Sequence, residues 1–378
     1  MLSGLARNTL AIIAHLEPDL ILPGVLKRFY PSMQGLVEAH RTTTSLASLS
    51  VLMPTIARHR IYRNHITTLL GLALPGIDPN DLSKTTLALT FMISACMHIP
   101  LWDLSDEGDH TALASAWITS QMEIFENMHG EDYPVPPEGE DSVDPTVTTS
   151  EEQADNIARS STGSLGEWIT SFFNQIFGFL SNMPDSHKHA KTAEEVMIPM
   201  ITLAVSTVLQ SLEPKLFTLA LKKMQRFVTE NVFHNAGEAT ASICRCFVEI
   251  RPDESLAAFL APVIASIKEE IRENGAGRSG RITTTEVLPS DRTLLWYLKI
   301  FNTLVGPRTG HALLKYVSGP DAPVRQVIEV VARECKGTMY HYVPRCLLNV
   351  CSSLATIYPL GSLLVKKPRN PNSEVKIN

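Results

Sequence analysis

The sequence has none of the short motifs that mark common catalytic sites. No G-x-S-x-G, H-E-x-x-H or phosphate-loop pattern occurs in its 378 residues. Such patterns position a nucleophilic serine, two zinc-binding histidines or a phosphate cradle. Their absence argues against the corresponding hydrolases, metalloproteases and nucleotidases. We therefore predict that the chain is not an enzyme and that it has no catalytic residues, no metal site and no cofactor.

Cysteine is scarce, and its spacing is irregular. The six cysteines lack the dense, regular spacing of a secreted disulfide framework, which favours a reducing compartment. Cys244 and Cys246 form a C-x-C pair, but neither a histidine nor a further cysteine lies at zinc-binding spacing. We therefore predict buried, unreactive thiols. The six are Cys96, Cys244, Cys246, Cys335, Cys346 and Cys351.

Long apolar runs and strict two-residue alternation are also scarce. The most aromatic segment, residues 165–183, is interrupted by Glu167 and Asn174 and falls short of the ~20 apolar residues of a membrane span. The first residues lack the basic region and cleavage site of a signal peptide. We predict no transmembrane helix and no membrane partner. Apolar residues recur instead at three- and four-residue intervals, which predicts a nearly all-helical chain.

Basic residues are absent from one long acidic interval. Residues 103–157 contain fifteen Asp and Glu and no Lys or Arg, whereas the whole chain has a net charge of only −6. This balance gives no general affinity for nucleic acid, so we predict no direct nucleic-acid partner. Most of the interval has too few large apolar groups to offset the entropy of ordering. We predict an acidic disordered loop at residues 131–163.

Helix-starting prolines recur along the sequence. Pro18, Pro214 and Pro252 each follow an apolar segment of helical period. Proline suits a first helical turn because the amide hydrogen that it lacks has no partner there. Each of the three therefore predicts a tight corner between two helices. Within the helix that follows Pro18, we expect Pro23 to produce a kink and Pro31 to end a segment.

The predicted helices are spaced regularly. First helices of successive pairs are predicted to begin near Leu2, His40 and Asp78, about thirty-eight residues apart, with Asp78 as a helix cap before Pro79. A period of ~40 residues built from two helices is typical of HEAT-like arrays. Ser164 begins a capping-box pattern at the start of a later helix.

The fold class predicted from these patterns is all-α, a HEAT/armadillo-like α-solenoid of antiparallel helix pairs with a long acidic disordered insertion. Each pair is apolar on more than one side, so stacking on the next pair stabilises it by about 25 cal/mol per Å² of apolar surface buried. The predicted organisation is HEAT-like repeats at 1–130, 164–274 and 290–366, the acidic loop at 131–163, a glycine-rich loop at 275–289 and a disordered tail at 367–378.

Four patterns in the sequence are candidate binding sites. The spacing of Gly275, Gly277 and Gly280 is that of the dinucleotide-binding fingerprint. These glycines follow the end of a predicted helix instead of a strand, so we predict an inter-helix loop.

The histidine pair His187 and His189 predicts a solvated turn, with a metal site as the alternative. Basic clusters predict solvated faces, with contacts to phosphates or acidic surfaces as the alternative. An apolar stripe predicts burial, with partner docking as the alternative. The basic clusters are Arg58, Arg60 and Arg63, and Lys222, Lys223 and Arg226; the stripe is Trp168, Ile169, Phe172, Phe173, Ile176, Phe177 and Leu180.

Generic periodicity does not account for three stretches of the sequence. They are "EPDLILPGVLKRFYPSMQGLVEAHR", "LALPGIDPNDLSKTTLALTFM" and "SDRTLLWYLKIFNTLVGPRTGHALLKY". Together they resemble the middle HEAT-repeat region of the 200-kilodalton proteasome activator family. The resemblance runs in order through nearly the whole chain, and "LPGIDPND" is its most specific part.

The resemblance implies a segment of a giant solenoid that forms a dome on the end ring of the core proteasome. Members of the family favour degradation of peptides and of unfolded or acetylated proteins, including histones, without ubiquitin. They are linked to DNA repair, and the resemblance implies a location in nucleus and cytoplasm. The family also binds inositol phosphates, and the resemblance assigns no residue of this sequence to those sites.

Gate opening in the family depends on a carboxyl-terminal tail with a penultimate tyrosine, whereas Ile377 occupies that position here. We therefore expect a fragment or truncated gene model that forms dome wall and does not itself open the gate. The main alternative is another HEAT-repeat scaffold, such as a nuclear transport receptor or a trafficking adaptor.

Overall fold

The structure, a computed structural model, describes residues 2–34, 39–105, 157, 159–184, 193–278, 291–306, 309–319 and 321–357. The chain divides into two compact units, Met1–Met224 and Gln225–Asn378. Within the described ranges the regular structure is helical, with one isolated bridge between Leu101 and Leu212 and no strand. The prediction of an all-α fold is confirmed.

Helices of the first unit pack on partners both near and far along the chain. The helices α1, α2 and α3 pack against one another, and α6 packs against both α3 and α8. Ala88, Phe91 and Met92 on the packed side of α6 are fully buried. The helices are α1 Leu2–Leu16, α2 Pro18–Gln34, α3 Ala39–Arg58, α4 Arg60–Arg63, α5 His65–Ala73, α6 Leu82–His98, α7 Leu165–Ser181, α8 Ala193–Ser211 and α9 Pro214–Glu230, which contains the boundary between the units.

Helices of the second unit also pack on several partners each. The helix α12 packs against both α10 and α11, and the last described helix, α16, packs against α12, α13 and α14. Trp296 of α12 is buried, and its Nε1 donates a hydrogen bond to the carbonyl of Val228, 3.2 Å away. The helices are α10 Gly237–Ile250, α11 Pro252–Arg272, α12 Arg292–Leu304, α13 Gly310–Val317, α14 Pro323–Glu334, α15 Gly337–Tyr340 and α16 Tyr342–Ile357.

Three of the predicted proline corners are confirmed, and one proline prediction is wrong. Pro18, Pro214 and Pro252 are the first residues of α2, α9 and α11. Pro31, however, does not end a segment, because α2 continues through it to Gln34. A proline inside a helix costs about 3 kcal/mol or more. Here the helix remains intact because it is anchored on both sides of the proline by buried apolar residues, Leu22, Leu26, Phe29 and Met33.

Two predicted helix caps are also wrong. The cap of α6 is Asp81, whose Oδ1 accepts a hydrogen bond from the Lys84 amide at 2.9 Å. Asp78 instead accepts from the amide of Asn80, 2.9 Å away, within the preceding turn. Ser164 precedes α7 in a helical conformation and donates to the carbonyl of Ser161, so its side chain does not cap the helix.

Helical structure is also present in part of the predicted acidic loop. Residues 159–162 are helical, so helix begins before residue 164 and the predicted loop, 131–163, is too long at its carboxyl end. The remainder of that loop, residues 131–156, lies outside the described residues together with Ala158, and so does the predicted tail at 367–378.

One helix, α8, is long and apolar enough to cross a membrane by length and composition. The prediction of no transmembrane helix stays a prediction. A third of its most apolar window is buried inside the protein. Core helices of globular proteins meet the same criterion, so α8 alone does not identify a membrane protein.

Candidate functional site

The most distinctive run of the sequence, residues 74–81, forms the corner between α5 and α6. Leu74–Gly76 is a 3-10 turn, and Gly76 is buried against α6. A Cβ atom added to Gly76 would lie 2.8 Å from the Cβ of Ala88. Glycine is therefore required here because the backbone of the corner approaches the helix too closely for a side chain.

Thr85 closes the same corner from inside α6. Its Oγ1 accepts a hydrogen bond from the amide of Asp78 at 2.8 Å and donates one to the carbonyl of Asp78 at 2.7 Å. The side chain of Thr85 is fully buried. Buried backbone polar groups require such partners, so this run serves to join two helices.

The glycine-rich loop after α11 is also held by internal hydrogen bonds. Gly275 and Gly277 have φ angles of 65° and 79°, in the left-handed region that favours glycine. The amide of Gly277 donates to Oδ1 of Asp291 at 2.8 Å, and its carbonyl accepts from the amide of Lys336 at 2.8 Å. These polar groups are directed at the protein and not at a ligand. The inter-helix loop prediction is confirmed for these two glycines, while Gly280 lies outside the described residues.

Buried thiols are confirmed at five positions and wrong at one. Burial raises the pKa of Cys96 to about 12 and that of Cys335 to about 11. A thiol that is buried and kept protonated is a poor nucleophile and a poor metal ligand. Cys351 is exposed. The five buried thiols are Cys96, Cys244, Cys246, Cys335 and Cys346.

The first basic cluster lies where the corner between α1 and α2 meets the end of α3. Tyr62 donates a 2.8 Å hydrogen bond to Oδ1 of Asp19, and Nη1 of Arg58 lies 3.3 Å from Nδ1 of His15. Burial, followed by the hydrogen bond to Asp19, raises the pKa of Tyr62. Sequence reasoning identified the arginines but missed His15, because proximity between residues 43 positions apart leaves no local pattern.

Several side chains of the two basic clusters have structural partners. The Nε of Arg63 donates to the carbonyl of Ala57 at 2.7 Å, which satisfies a carbonyl in the last turn of α3. The Nζ of Lys223 donates to Asn174 of α7 at 3.0 Å. Arg226 forms an ion pair with Glu230, one helical turn away, at 2.8 Å. These partners favour the predicted solvated faces over an anion site.

The apolar stripe of α7 is buried, as predicted. Trp168 and Phe172 stack with ring centroids 5.4 Å apart, and Phe173 meets Phe172 edge to face. The side of α7 at Gly166 lies against Leu216 and Leu219 of α9. All members of the stripe are buried except Phe177, which is half-buried. The stripe therefore contributes to the core of the first unit.

A metal site has no support among the described residues. Within them, no group of three or more His, Cys, Asp and Glu side chains is placed to hold an ion. His187 and His189 lie outside the described residues, so the prediction of a solvated turn there stays a prediction.

Comparison with known proteins identifies the family to which this chain belongs. The model of the family described as "Proteasome activator complex subunit 4, mid HEAT repeats region" matches residues 2–378. The chain belongs to this family. The predicted resemblance is confirmed, and with it the HEAT-repeat character of the all-α fold. The run at residues 74–81, part of the basis for the resemblance, is accounted for by the corner that Gly76 and Thr85 form.

Individual members of this proteasome activator family match most of the chain. The human proteasome activator complex subunit 4 is 26% identical over 370 residues, covering 94% of this chain. Subunit 4B of Danio rerio is 24% identical over 372 residues, again 94% of the chain. The proteasome activator BLM10 of Saccharomyces cerevisiae is 24% identical over 315 residues, or 81% of the chain.

The chain corresponds to a small part of each relative. It covers 17% of the human and Danio rerio subunits and 14% of the yeast activator. The family model likewise describes a middle region of HEAT repeats. The whole relatives therefore contain much more chain than is present here.

Proposed function

We propose that this chain forms part of the wall of a proteasome activator, which caps the core proteasome and promotes degradation of proteins without ubiquitin. The observation that carries the proposal is the match of residues 2–378 to the middle HEAT-repeat region of the activator family. The described residues support a wall, because the distinctive residues among them join helices. Thr85, Gly76 and Gly277 are examples.

The partners in this proposal are those of the activator as a whole. The end ring of the core proteasome is the main one, and unfolded proteins and acetylated histones are the proposed substrates. The proposed location is the nucleus and cytoplasm. A wall segment supplies shape and contact area, and it does not itself open the gate of the core particle.

Affinity purification tests the association with the proteasome. A tagged chain, expressed in cells, should recover core-proteasome subunits above the level recovered with the tag alone. Recovery of transport cargo or a small GTPase in their place would support the alternative of a transport or trafficking scaffold. The variant Gly76→Ala, in which the corner between α5 and α6 is strained, provides a control for binding that depends on the native fold.

Peptide hydrolysis tests the proposed division of labour. Purified core proteasome should cleave a fluorogenic peptide at the same rate with and without an excess of the purified chain. Stimulation by the chain alone would show that a wall segment is sufficient to open the gate and would contradict this part of the proposal.

A further inference from the structure

The first helix has an apolar face that no described residue covers. Its packing against α2 and α3 buries Ala14. On the opposite side of the helix, Leu5, Ile12 and Leu16 are 67%, 63% and 66% exposed. Thr9 lies between them, and its hydroxyl is bonded to the carbonyl of Leu5 at 3.0 Å. We call Leu5, Thr9, Ile12 and Leu16 the α1 stripe.

The last described helix has a second face of this kind. The packed side of α16 buries Tyr342, Cys346 and Ser353. The opposite side exposes four uncharged residues, of which Leu348 is 67% exposed. We call these residues the α16 stripe, and they are Pro344, Leu348, Cys351 and Ala355.

The two stripes have the same spacing and the same length. Each has its members at positions i, i+4, i+7 and i+11, which is the spacing of the seam between two helices of a coiled coil. Eleven residues at about 1.5 Å of rise each give both stripes a length of about 16 Å. None of the eight side chains is charged, so facing the stripes against each other would bury no unpaired charge.

The charges beside the stripes favour an antiparallel arrangement. Exposed Glu17 follows Leu16 at the carboxyl end of the α1 stripe, and exposed Arg345 follows Pro344 at the amino end of the α16 stripe. Antiparallel packing would bring these opposite charges to the same end of the interface. The protein also provides a precedent for a helix that is packed on two neighbours, because α6 contacts both α3 and α8.

We propose that the α1 stripe of one copy of this chain packs antiparallel against the α16 stripe of a second copy. The two surfaces are different, so each contact is heterologous, and every copy carries one stripe of each kind. Association is therefore head to tail and increases with protein concentration. This inference depends only on the two stripes and is independent of the proposed role at the proteasome.

Complementation between two variants tests the proposal. Ile12→Glu places a charge in the α1 stripe, and Leu348→Glu places one in the α16 stripe. Each position is about two-thirds exposed, so neither change alters the core, and circular dichroism checks the fold. By light scattering, the natural chain should exceed the 41.7 kDa of one copy, and each variant alone should remain at that mass. An equimolar mixture should double in mass and grow no further, since it contains one intact stripe of each kind.

The thiol of Cys351 reports directly on the α16 stripe. Its labelling by a maleimide in the Ile12→Glu chain should slow when the Leu348→Glu chain is added, because the intact α1 stripe of that chain covers it. The remaining thiols are buried and react slowly with or without a partner. Unchanged labelling in the mixture would overturn the proposal.

Other outcomes would also overturn it. A natural chain that stays at the mass of one copy up to its solubility limit has no such interface. Association that persists in either variant alone would indicate symmetric pairing of like stripes or a different surface. Leu203→Glu supplies the matched control, because Leu203 is an exposed leucine of α8 outside both stripes. This variant should associate like the natural chain, and loss of association there would indicate non-specific apolar contact.

Discussion

A Cβ atom added to Gly277 would lie 2.8 Å from the sulfur of Cys335 and 3.1 Å from Cδ2 of Leu294. Gly277 also has a positive φ angle. Gly277→Ala should therefore both strain the backbone and overpack the interior, and we expect a loss of about 2–4 kcal/mol in the free energy of unfolding. Urea denaturation followed by circular dichroism measures this loss.

Gly275→Ala separates the two causes. Gly275 has a similar φ angle, but no atom lies within 4 Å of the position that its Cβ would occupy. Only backbone strain remains, so we expect this variant to lose about 1 kcal/mol. Equal losses in the two variants would show that the contact with Cys335 contributes nothing.

The corner between α5 and α6 predicts a pair of compensating substitutions. Gly76→Ala should destabilise the chain by about 1–3 kcal/mol, because the new methyl group meets the Cβ of Ala88. Adding Ala88→Gly removes the clashing atom and should recover part of the loss. If the effects of Gly76→Ala and Ala88→Gly on the free energy of unfolding were strictly additive in denaturation experiments, this would argue against contact between the two residues.

Gly71→Ala in α5 is a contrasting case. A Cβ atom added to Gly71 meets no atom within 4 Å, so this change should stabilise the chain by about 0.5–1 kcal/mol in denaturation experiments.

The hydroxyl of Thr85 predicts a further loss of stability. Thr85→Val keeps the shape of the side chain but leaves the amide of Asp78 without its 2.8 Å acceptor. An unsatisfied buried group costs about 1–3 kcal/mol. Thr90→Val is the matched control in the same helix, because the hydroxyl of Thr90 bonds only the carbonyl of Thr86 one turn earlier. The control should change stability by less than about 0.5 kcal/mol.

A half-buried histidine makes stability depend on pH. Burial lowers the pKa of His65, whose Nδ1 lies 2.7 Å from the hydroxyl of Tyr30, below its ordinary value of 6.5. As pH falls through 6.5, the unfolded chain takes up a proton that the folded chain does not, so folding becomes less favourable. The contribution is complete above pH 6.5 and is lost as pH falls towards the folded-state pKa.

Comparison of pH profiles isolates this effect. The free energy of unfolding should decline between pH 7 and pH 5, and His65→Gln should reduce the decline. Burial also lowers the pKa of His59, so some decline should remain in the variant. An identical slope in the natural chain and in His65→Gln would show that His65 does not carry the dependence.

Sequence patterns predicted the features that depend on local chemistry. Pro18, Pro214 and Pro252 begin helices as expected, because proline fixes φ and lacks an amide hydrogen wherever it occurs. The stripe of α7 was assigned to the core because its spacing defines one helix face. Family membership was also predictable, since runs such as residues 74–81 are specific.

Predictions failed where packing and hydrogen bonds that a local pattern does not show decide the outcome. Pro31 lies within α2 because Leu26, Phe29 and Met33 anchor the helix on both sides of it. Asp81 replaces Asp78 as a cap because the backbone of Asp78 is bonded to Thr85. Cys351 is exposed because the packed face of α16 lies on its opposite side, which the spacing of the cysteines does not reveal.

Each helix is stabilised by the helices that pack on it, so that α6 and α12 are internal while α1 and α16 each keep an outward apolar face. Amide hydrogen exchange, measured by mass spectrometry on the Leu348→Glu chain to suppress association, tests this claim most directly. We predict that α1 exchanges faster than α6 and that α16 exchanges faster than α12, because stability varies with local packing. Exchange of α1 as slow as that of α6, or of α16 as slow as that of α12, would contradict it.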